Sequence, residues 1–212
     1  MSYMVNLSLE GRAALVVGGG AIASRKAEDL LQAKAVVTVV APEIGEEMVA
    51  LVVQDRVRVF VRPYRSTDIG NSFVVIAATD SQEVNTAVFT DATARNVLVN
   101  VVDVPELCTF TVPATLHRGN LTIAVATEGL SPAFSGILRE ELEGRYGAEY
   151  GSLVELFGEL RKNMIASGWK GAAIRQKLAE IYRDGVIDRI AAGDDGRLRE
   201  FLLAHLSPEL LG

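Results

Sequence analysis

Apolar positions in the first hundred residues gather into short runs, with helix-length amphipathic stretches between most of them. The runs are Ala13–Val17, Val36–Ala41, Val57–Val61, Phe73–Ala78 and Val97–Val102. Phe73–Ala78 is apolar throughout, the pattern of a strand covered on both faces, whereas Val57–Val61 alternates with Arg58 and Arg62. Between the runs, Ile22–Gln32 sets Ala23, Ala27, Leu30 and Leu31 on one helical face, and Glu43–Val53 turns Met48, Leu51 and Val52 inward. A third helix, capped by Ser81 and running to about Arg95, carries Val84, Val88 and Ala92. This order predicts an α/β architecture, a Rossmann-like doubly wound parallel sheet. Right-handed crossovers then place the strand carboxyl ends on one edge, where ligands bind, and Gly18, Ala41, Ala78 and Asp103 fall there. Lys34 is a local misfit, because it stands where a left-handed helix cap would suit glycine.

The pattern changes after Asp103. Cys108–Ala114 reads as a sixth strand leaving the domain, Arg118-Gly119-Asn120 as a turn, and Leu121–Ala126 as an alternating strand. Ser131 as N-cap and Pro132 in the first turn open a helix that runs to Arg145. One strand and one helix cannot make an independent core, so this piece is expected to pack on the nucleotide domain or on a second chain. From Gly147 onward the signals are helical: Leu153–Met164, Lys170–Tyr182, Val186–Ala191 and Asp195–His205. Leu153, Leu156, Phe157 and Leu160 share a stripe that reads as core. The expected division is a nucleotide-binding domain over 1–112, a small α/β segment over 113–146 and a helical domain over 147–212.

The stretch LVVGGGAIASRKA, Leu15–Ala27, joins the first strand to the first helix. Gly18, Gly20 and Ala23 fit G-x-G-x-x-A, the dinucleotide form of the glycine-rich turn. Gly18 lets the chain reverse, Gly20 lets a pyrophosphate approach the backbone, and Ala23 keeps the helix close to the strand. Free N–H groups and the positive end of the helix dipole would face the phosphates. Gly18, Gly19, Gly20, Ala21 and Ile22 are therefore candidate cofactor residues; a plain tight turn is the competing reading. Glu43, after the second strand, could hold the ribose hydroxyls or be a first-turn helix acid. Arginine is absent from the Ala41-Pro42-Glu43 turn, which favours NAD over NADP. Thr79 and Asp80 lie where the cofactor would cross the sheet, and Asn100, just before the VVD residues, could order the loop.

Composition narrows the partners. The chain has 212 residues, 49% of them apolar, with net charge −6 and a pI near 5.1. That balance argues against a nucleic-acid partner, and an anionic substrate would need local Arg or Lys. No apolar run reaches the length of a membrane span, and the first residues lack the pattern of a secretory signal, so no membrane partner is expected. The lone Cys108 suits a reducing, cytoplasmic setting, and with His117 and His205 it makes no zinc pattern, so no metal ligand is assigned.

Five segments in this order and spacing, LVVGGGAIASRKAEDLL, VTVVAPE, VVIAATDSQEVN, NVVDVPELCTFTVPA and AVATEGLSPA, resemble the precorrin-2 dehydrogenase family, which includes the N-terminal part of sirohaem synthase. The resemblance is strong over Leu7–Arg145 and weak over the helical tail. It implies NAD-dependent oxidation of precorrin-2, a tetrapyrrole, to sirohydrochlorin, in some members followed by insertion of ferrous iron. It also implies an intertwined homodimer in which Pro113–Arg145 matches the dimerisation part. The methyltransferase of the sirohaem synthase fusion is not expected in a chain ending at Gly212.

By the same resemblance Asp103, of the NVVD motif, matches the family's catalytic aspartate, where a carboxylate could take the proton that leaves the tetrapyrrole. Its competing role is to cap the turn after the strand. Thr127 matches a position near the active site, with an ordinary strand-end hydroxyl as its alternative. Glu128 stands where many relatives carry Gly, an added carboxylate against an octacarboxylate substrate. Arg25, Lys26, Arg118, Arg139 and Arg145 are candidate substrate cations, Arg118 foremost, each with a solvated charge as the alternative. His117 could be an iron ligand or proton carrier, or merely exposed. A different class of function is a non-catalytic NAD(H)-binding regulatory module, like the ligand-binding halves of some potassium-transport regulators. It accounts for the glycine turn but not for NVVD or the SPA helix start.

Overall fold

The computed structural model describes residues 3–211. The chain divides into two compact units, Met1–Val112 and Pro113–Gly212. The first holds strands β1 (Ala13–Val17), β2 (Val36–Ala41), β3 (Arg58–Val61), β4 (Val74–Ala77) and β5 (Leu98–Val101), with helices α1 (Ala21–Gln32), α2 (Glu46–Val53) and α3 (Gln82–Ala94). All strand pairs are parallel and the sheet order is β3-β2-β1-β4-β5. The predicted doubly wound sheet is therefore the observed one, with the connection reversing direction between β1 and β4.

Strand periodicity sorts the core into two layers. Ala14, Val16, Val37, Val39, Val74 and Ile76 pack with Ala23, Ala27, Leu30, Met48 and Leu51 of α1 and α2. Their neighbours in sequence, Leu15, Val17, Val40, Val75 and Ala77, pack on the other face with Val88 and Ala92 of α3 and with Ile69. Each central strand is thus covered twice, which is why it reads as a continuous apolar run. Val52 is an exception to expectation: it is 38% exposed, and α2, which begins at Glu46 rather than Glu43, turns only Met48 and Leu51 into the core. Lys34 does adopt the left-handed conformation, φ 60°. Its N–H donates to Leu31 C=O (2.9 Å) and Ala35 N–H to Leu30 C=O (3.0 Å), the paired bonds that close a helix end.

The segment Cys108–Ala114 is not the expected strand. A short 3-10 turn at Pro105–Leu107 follows β5, and the chain then returns to β5 through one backbone bond, Thr109 N–H to Val99 C=O (2.8 Å), with side chains making the other links. Thr109 Oγ1 accepts the Val99 N–H (2.8 Å), and Asn100 Nδ2 donates to Phe110 C=O (3.0 Å). Asn100 does order this loop. The Cys108 thiol, half-buried, accepts the Val101 N–H (3.3 Å) and lies equally close to the Val104 carbonyl; burial pushes its pKa up.

The second unit opens with an antiparallel hairpin, β6 (Ala114–Arg118) and β7 (Leu121–Val125). Helix α4 (Pro132–Arg145) packs on the hairpin, and α5 (Glu149–Ala166), α6 (Gly171–Arg183), α7 (Val186–Ala191) and α8 (Asp195–His205) follow. Leu153, Leu160, Met164, Ile174, Ile181, Val186 and Leu202 form its core, with Leu156 and Phe157 of the predicted stripe at the margin. Among the described residues no helix is long and apolar enough to cross a membrane.

His205 ties the end of α8 to that of α6. Its Nε2 meets Asp184 Oδ2 at 2.9 Å, and its Nδ1 lies 2.9 Å from Phe201 C=O. Glu180 stands beside them, paired with Lys177 (2.8 Å), and the three residues lie close enough to resemble a metal cluster. The observed contacts are those of ion pairs. The Asp184 carboxylate, then the Phe201 carbonyl, raise the His205 pKa. A raised pKa in the folded state favours folding fully below the unfolded value of about 6.5 and loses that contribution as pH rises through the folded value. Melting followed by the fluorescence of Trp169, the chain's one tryptophan, which packs on this core, is therefore expected to show a decline in stability above neutral pH. Asp184→Asn should flatten that decline; an unchanged slope would remove the pair as its cause.

Candidate active site

Hydrogen bonds beyond the strand ends assemble one continuous edge. Arg62 N–H donates to Ala41 C=O (2.9 Å), Gly18 N–H to Val40 C=O (3.0 Å), Ala78 N–H to Val17 C=O (2.8 Å) and Val102 N–H to Ala77 C=O (2.9 Å). The Gly18 turn, the Ala41–Glu43 turn, the Thr79–Asp80 turn and Asp103 thus end neighbouring strands. Asp103 lies two strands across from the glycine turn, about 10 Å at the usual strand spacing.

The three glycines do different work. Gly18 has φ +130°, and a Cβ there would overlap the Ala78 carbonyl, 2.8 Å from its carbon. At Gly19 a Cβ would overlap the Glu43 carbonyl and sit 3.0 Å from Ala41 Cβ, and Gly45 N–H donates to Gly19 C=O (2.8 Å). Both are consumed by close packing of turns. Gly20 alone opens outward: it is exposed, and no atom lies within 4 Å of its would-be Cβ. It is the N-cap of α1, whose first internal bond is Ser24 N–H to Gly20 C=O (3.0 Å). The N–H groups of Ala21, Ile22 and Ala23 precede that bond, and α1 has no acidic residue in its first turn. Ala21 and Ile22 are exposed beside them. An anion of pyrophosphate type fits this cradle, by charge and by the space beside Gly20.

Glu43 is exposed and lies ahead of α2, whose first-turn acids are Glu46 and Glu47, so the reading of Glu43 as a helix acid does not hold. Asp80 is exposed as well. Thr79 is built into its turn: Oγ1 donates to Asn85 Oδ1 (2.8 Å) and accepts the Ser81 N–H (3.2 Å), and Asn85 Nδ2 donates to Thr79 C=O (2.9 Å). Asn85 is 7% exposed, a buried polar group in an otherwise apolar helix face, and that mismatch was its signal in the sequence. Ser81 caps α3 as expected, accepting the Val84 N–H (3.3 Å). Asp103 is exposed and holds the left-handed φ of 61°, a conformation that aspartate tolerates better than most residues.

In the second unit Arg118 is engaged with backbone rather than free for substrate. Its Nε donates to Tyr146 C=O (2.8 Å) and its terminal nitrogens to the carbonyls of His117 (2.9 Å) and Glu143 (3.4 Å), which satisfies the end of α4. His117 pairs across the hairpin with Thr122 Oγ1 (3.0 Å). Arg139 is ion-paired with Glu143 and Glu140, and Lys26 lies 3.6 Å from Asp29. Arg25 and Arg145 are exposed, the latter beside the Tyr146 ring. Glu128 has φ 53° in the turn before α4.

Ser131 begins α4, but its side chain does not cap it. Thr127 Oγ1 accepts the Ser131 N–H (3.2 Å) and bonds Ser135 Oγ (3.1 Å), because the turn through Glu128 and Gly129 folds Thr127 back over the helix start. Thr127→Val, nearly isosteric, should cost about 1 kcal/mol of stability. A denaturation midpoint identical to wild type would show that the hydroxyl contributes nothing to the cap.

A shallow groove of about 620 Å³ runs along the outer face of α3, lined by Gln82, Glu83, Thr86, Ala87, Thr90 and Asp91. Its lining holds two carboxylates and no cation.

Known proteins match this architecture. A family model described as putative NAD(P)-binding matches residues 5–114, and one described as the central part of a sirohaem biosynthesis protein matches residues 118–145. The chain is 36% identical over 201 residues to a siroheme synthase of Methylobacillus flagellatus, covering 95% of this chain and 43% of that one. It is 41% identical over 201 residues to the siroheme synthase of Thioalkalivibrio sulfidiphilus, covering 94% and 41%. The chain thus spans about two-fifths of these curated relatives. Among solved structures it resembles SirC, a precorrin-2 dehydrogenase, with a TM-score of 0.78 and 30% identity, covering 96% of this chain and 98% of that one. Likeness over the whole length of one such enzyme, with the glycine turn and the NVVD aspartate in place on the sheet edge, means that this chain belongs to the precorrin-2 dehydrogenase family.

Proposed function

We propose that the chain oxidises precorrin-2 to sirohydrochlorin with NAD⁺, in the biosynthesis of sirohaem, and that Asp103 is its catalytic base. The observation that carries this reading is the shared edge: an open anion cradle at Gly20–Ile22 and an exposed carboxylate at Asp103, two strands apart. NAD⁺, when bound, supplies the acceptor for the hydride that leaves the macrocycle. Gly20, Ala21 and Ile22 hold its pyrophosphate by backbone N–H groups, Glu43 takes ribose hydroxyls, and the Thr79–Asp80 turn borders its path across the sheet. Asp103 accepts the proton lost with the hydride, so the two-electron oxidation balances as one hydride and one proton.

Thr127 and Arg118 shape the start and end of α4. Residues 113–146 form the dimerisation segment and 147–212 a helical domain. Leu130 (91% exposed), just before α4, and Phe134 (50%) and Ile137 (59%) within it leave large apolar surface, which supports burial in a homodimer. The single Cys108 fits a cytoplasmic enzyme. Purified protein supplied with precorrin-2 and NAD⁺ is expected to form NADH, and the same assay with ferrous iron reports any metal insertion. Nucleotide binding with no turnover of precorrin-2 would overturn the proposal in favour of a regulatory module.

A further inference from the structure

The Ala41-Pro42-Glu43 turn lacks arginine in sequence, yet the fold brings one to it. Arg62 follows β3, and its backbone N–H bonds the last carbonyl of β2, Ala41, at 2.9 Å. An arginine whose backbone stands at the end of β2 could extend its guanidinium to the 2′-phosphate of NADP. Here the guanidinium is already taken. Its two terminal nitrogens donate to the two carboxylate oxygens of Asp68, at 2.8 and 2.6 Å, and one of them also donates to Pro63 C=O (3.1 Å). The guanidinium lies 5.3 Å from the centre of the Phe60 ring. Asp68 accepts the Arg65 N–H (2.8 Å) as well, and its side chain is only 8% exposed. The paired bonds with Arg62 hold the Asp68 carboxyl below its ordinary range.

We propose that the Arg62–Asp68 pair sets nucleotide preference: Arg62 is anchored by its backbone at the end of β2, and Asp68 keeps its guanidinium committed to a carboxylate and so closed to a 2′-phosphate. A phosphate recruiting Arg62 would have to break a two-point ion pair and strand a buried carboxylate. The exposed carboxylate of Glu43 repels the same phosphate. An unphosphorylated ribose meets neither obstacle, since its hydroxyls donate to Glu43. The inference rests on the reading above, in which the adenosine ribose lies at this turn.

The test is calorimetric titration of NAD⁺ and NADP⁺ into wild type, Asp68→Asn and the double variant Asp68→Asn/Arg62→Gln, with no turnover required. Wild type is expected to prefer NAD⁺. Asparagine keeps an acceptor for the Arg65 N–H but weakens the hold on Arg62, so Asp68→Asn should raise NADP⁺ affinity relative to NAD⁺ about tenfold. Removing Arg62 in that background should cancel the gain. An unchanged ratio in Asp68→Asn, or a gain that survives loss of Arg62, overturns the inference. A second measurement needs no variant: in wild type, NADP⁺ affinity should fall no more steeply with salt than NAD⁺ affinity, and a steeper fall would reveal a cation on the phosphate and overturn it. Wild type that binds both nucleotides equally refutes this inference and leaves the dehydrogenase reading standing; wild type that binds neither sinks both.

Discussion

Asp103→Asn should lower the rate of NADH formation from precorrin-2 at least a hundredfold, the low end of what a positioned general base contributes. The choice of asparagine matters. Asp103 sits at φ 61°, where asparagine is almost as comfortable as aspartate and alanine is not. The variant therefore keeps the loop between β5 and the Pro105–Leu107 turn and deletes only the carboxylate. That loop is held by Asn100, Cys108 and Thr109, so its shape does not depend on the Asp103 side chain. NAD⁺ affinity should stay within about twofold of wild type, because Asp103 lies across the sheet from the pyrophosphate cradle. Stopped or steady-state measurement of NADH absorbance decides the matter. Ordinary turnover by the variant would remove Asp103 from the chemistry and leave it the role of a turn residue.

The second large effect separates glycines that serve the fold from the one that serves the ligand. Gly18→Ala places a methyl group into the Ala78 carbonyl at a φ that a side chain disfavours, so β1 and the β4 turn must part. A loss of about 3 kcal/mol or more is expected in denaturant unfolding, since backbone on both sides has nowhere to move. Gly19→Ala meets the Glu43 carbonyl in the same way. Gly20→Ala is the contrast. Gly20 has φ −80° and ψ −177°, which any residue adopts, and its Cβ would enter open space. Stability should change by less than about 1 kcal/mol, while NAD⁺ affinity falls about tenfold or more as the methyl occupies the approach of the pyrophosphate. Were Gly20→Ala to bind NAD⁺ as wild type does, the cradle would have to lie elsewhere.

Much of this molecule is legible along the chain because its local and global preferences agree. The five parallel strands lie where the apolar runs lie, since a strand buried on both faces needs an apolar residue at every position, as Val74–Ala77 shows. The reading failed where side chains replace most of the backbone pairing. Cys108–Ala114 has the β-branched and aromatic look of a strand, but Thr109 makes one backbone bond to Val99, its hydroxyl takes the Val99 N–H, Asn100 of β5 holds the Phe110 carbonyl by its side chain, and regular strand pairing resumes only at Ala114. Ser131 precedes a Pro-initiated helix as a cap should, yet the cap comes from Thr127, because the left-handed pair Glu128–Gly129 folds the chain back. Arg118 passed for a free cation because nothing nearby in sequence marks the carbonyls of Glu143 and Tyr146 as its acceptors.

By itself, then, the amino-acid order determined the alternation of strands and helices, the edge on which Gly18 and Asp103 lie, and the family. These depend on periodicity, glycine placement and motif spacing, all properties of neighbours along the chain. Tertiary structure alone decided that Gly18 and Gly19 are packed shut while Gly20 stays open, that Arg62 reaches the end of β2 already bound to Asp68, and that His205 clamps Asp184. Each of those outcomes hangs on atoms from separate turns or helices meeting within a few ångströms, and short-range repulsion and hydrogen bonding at that distance leave no periodic trace in the sequence.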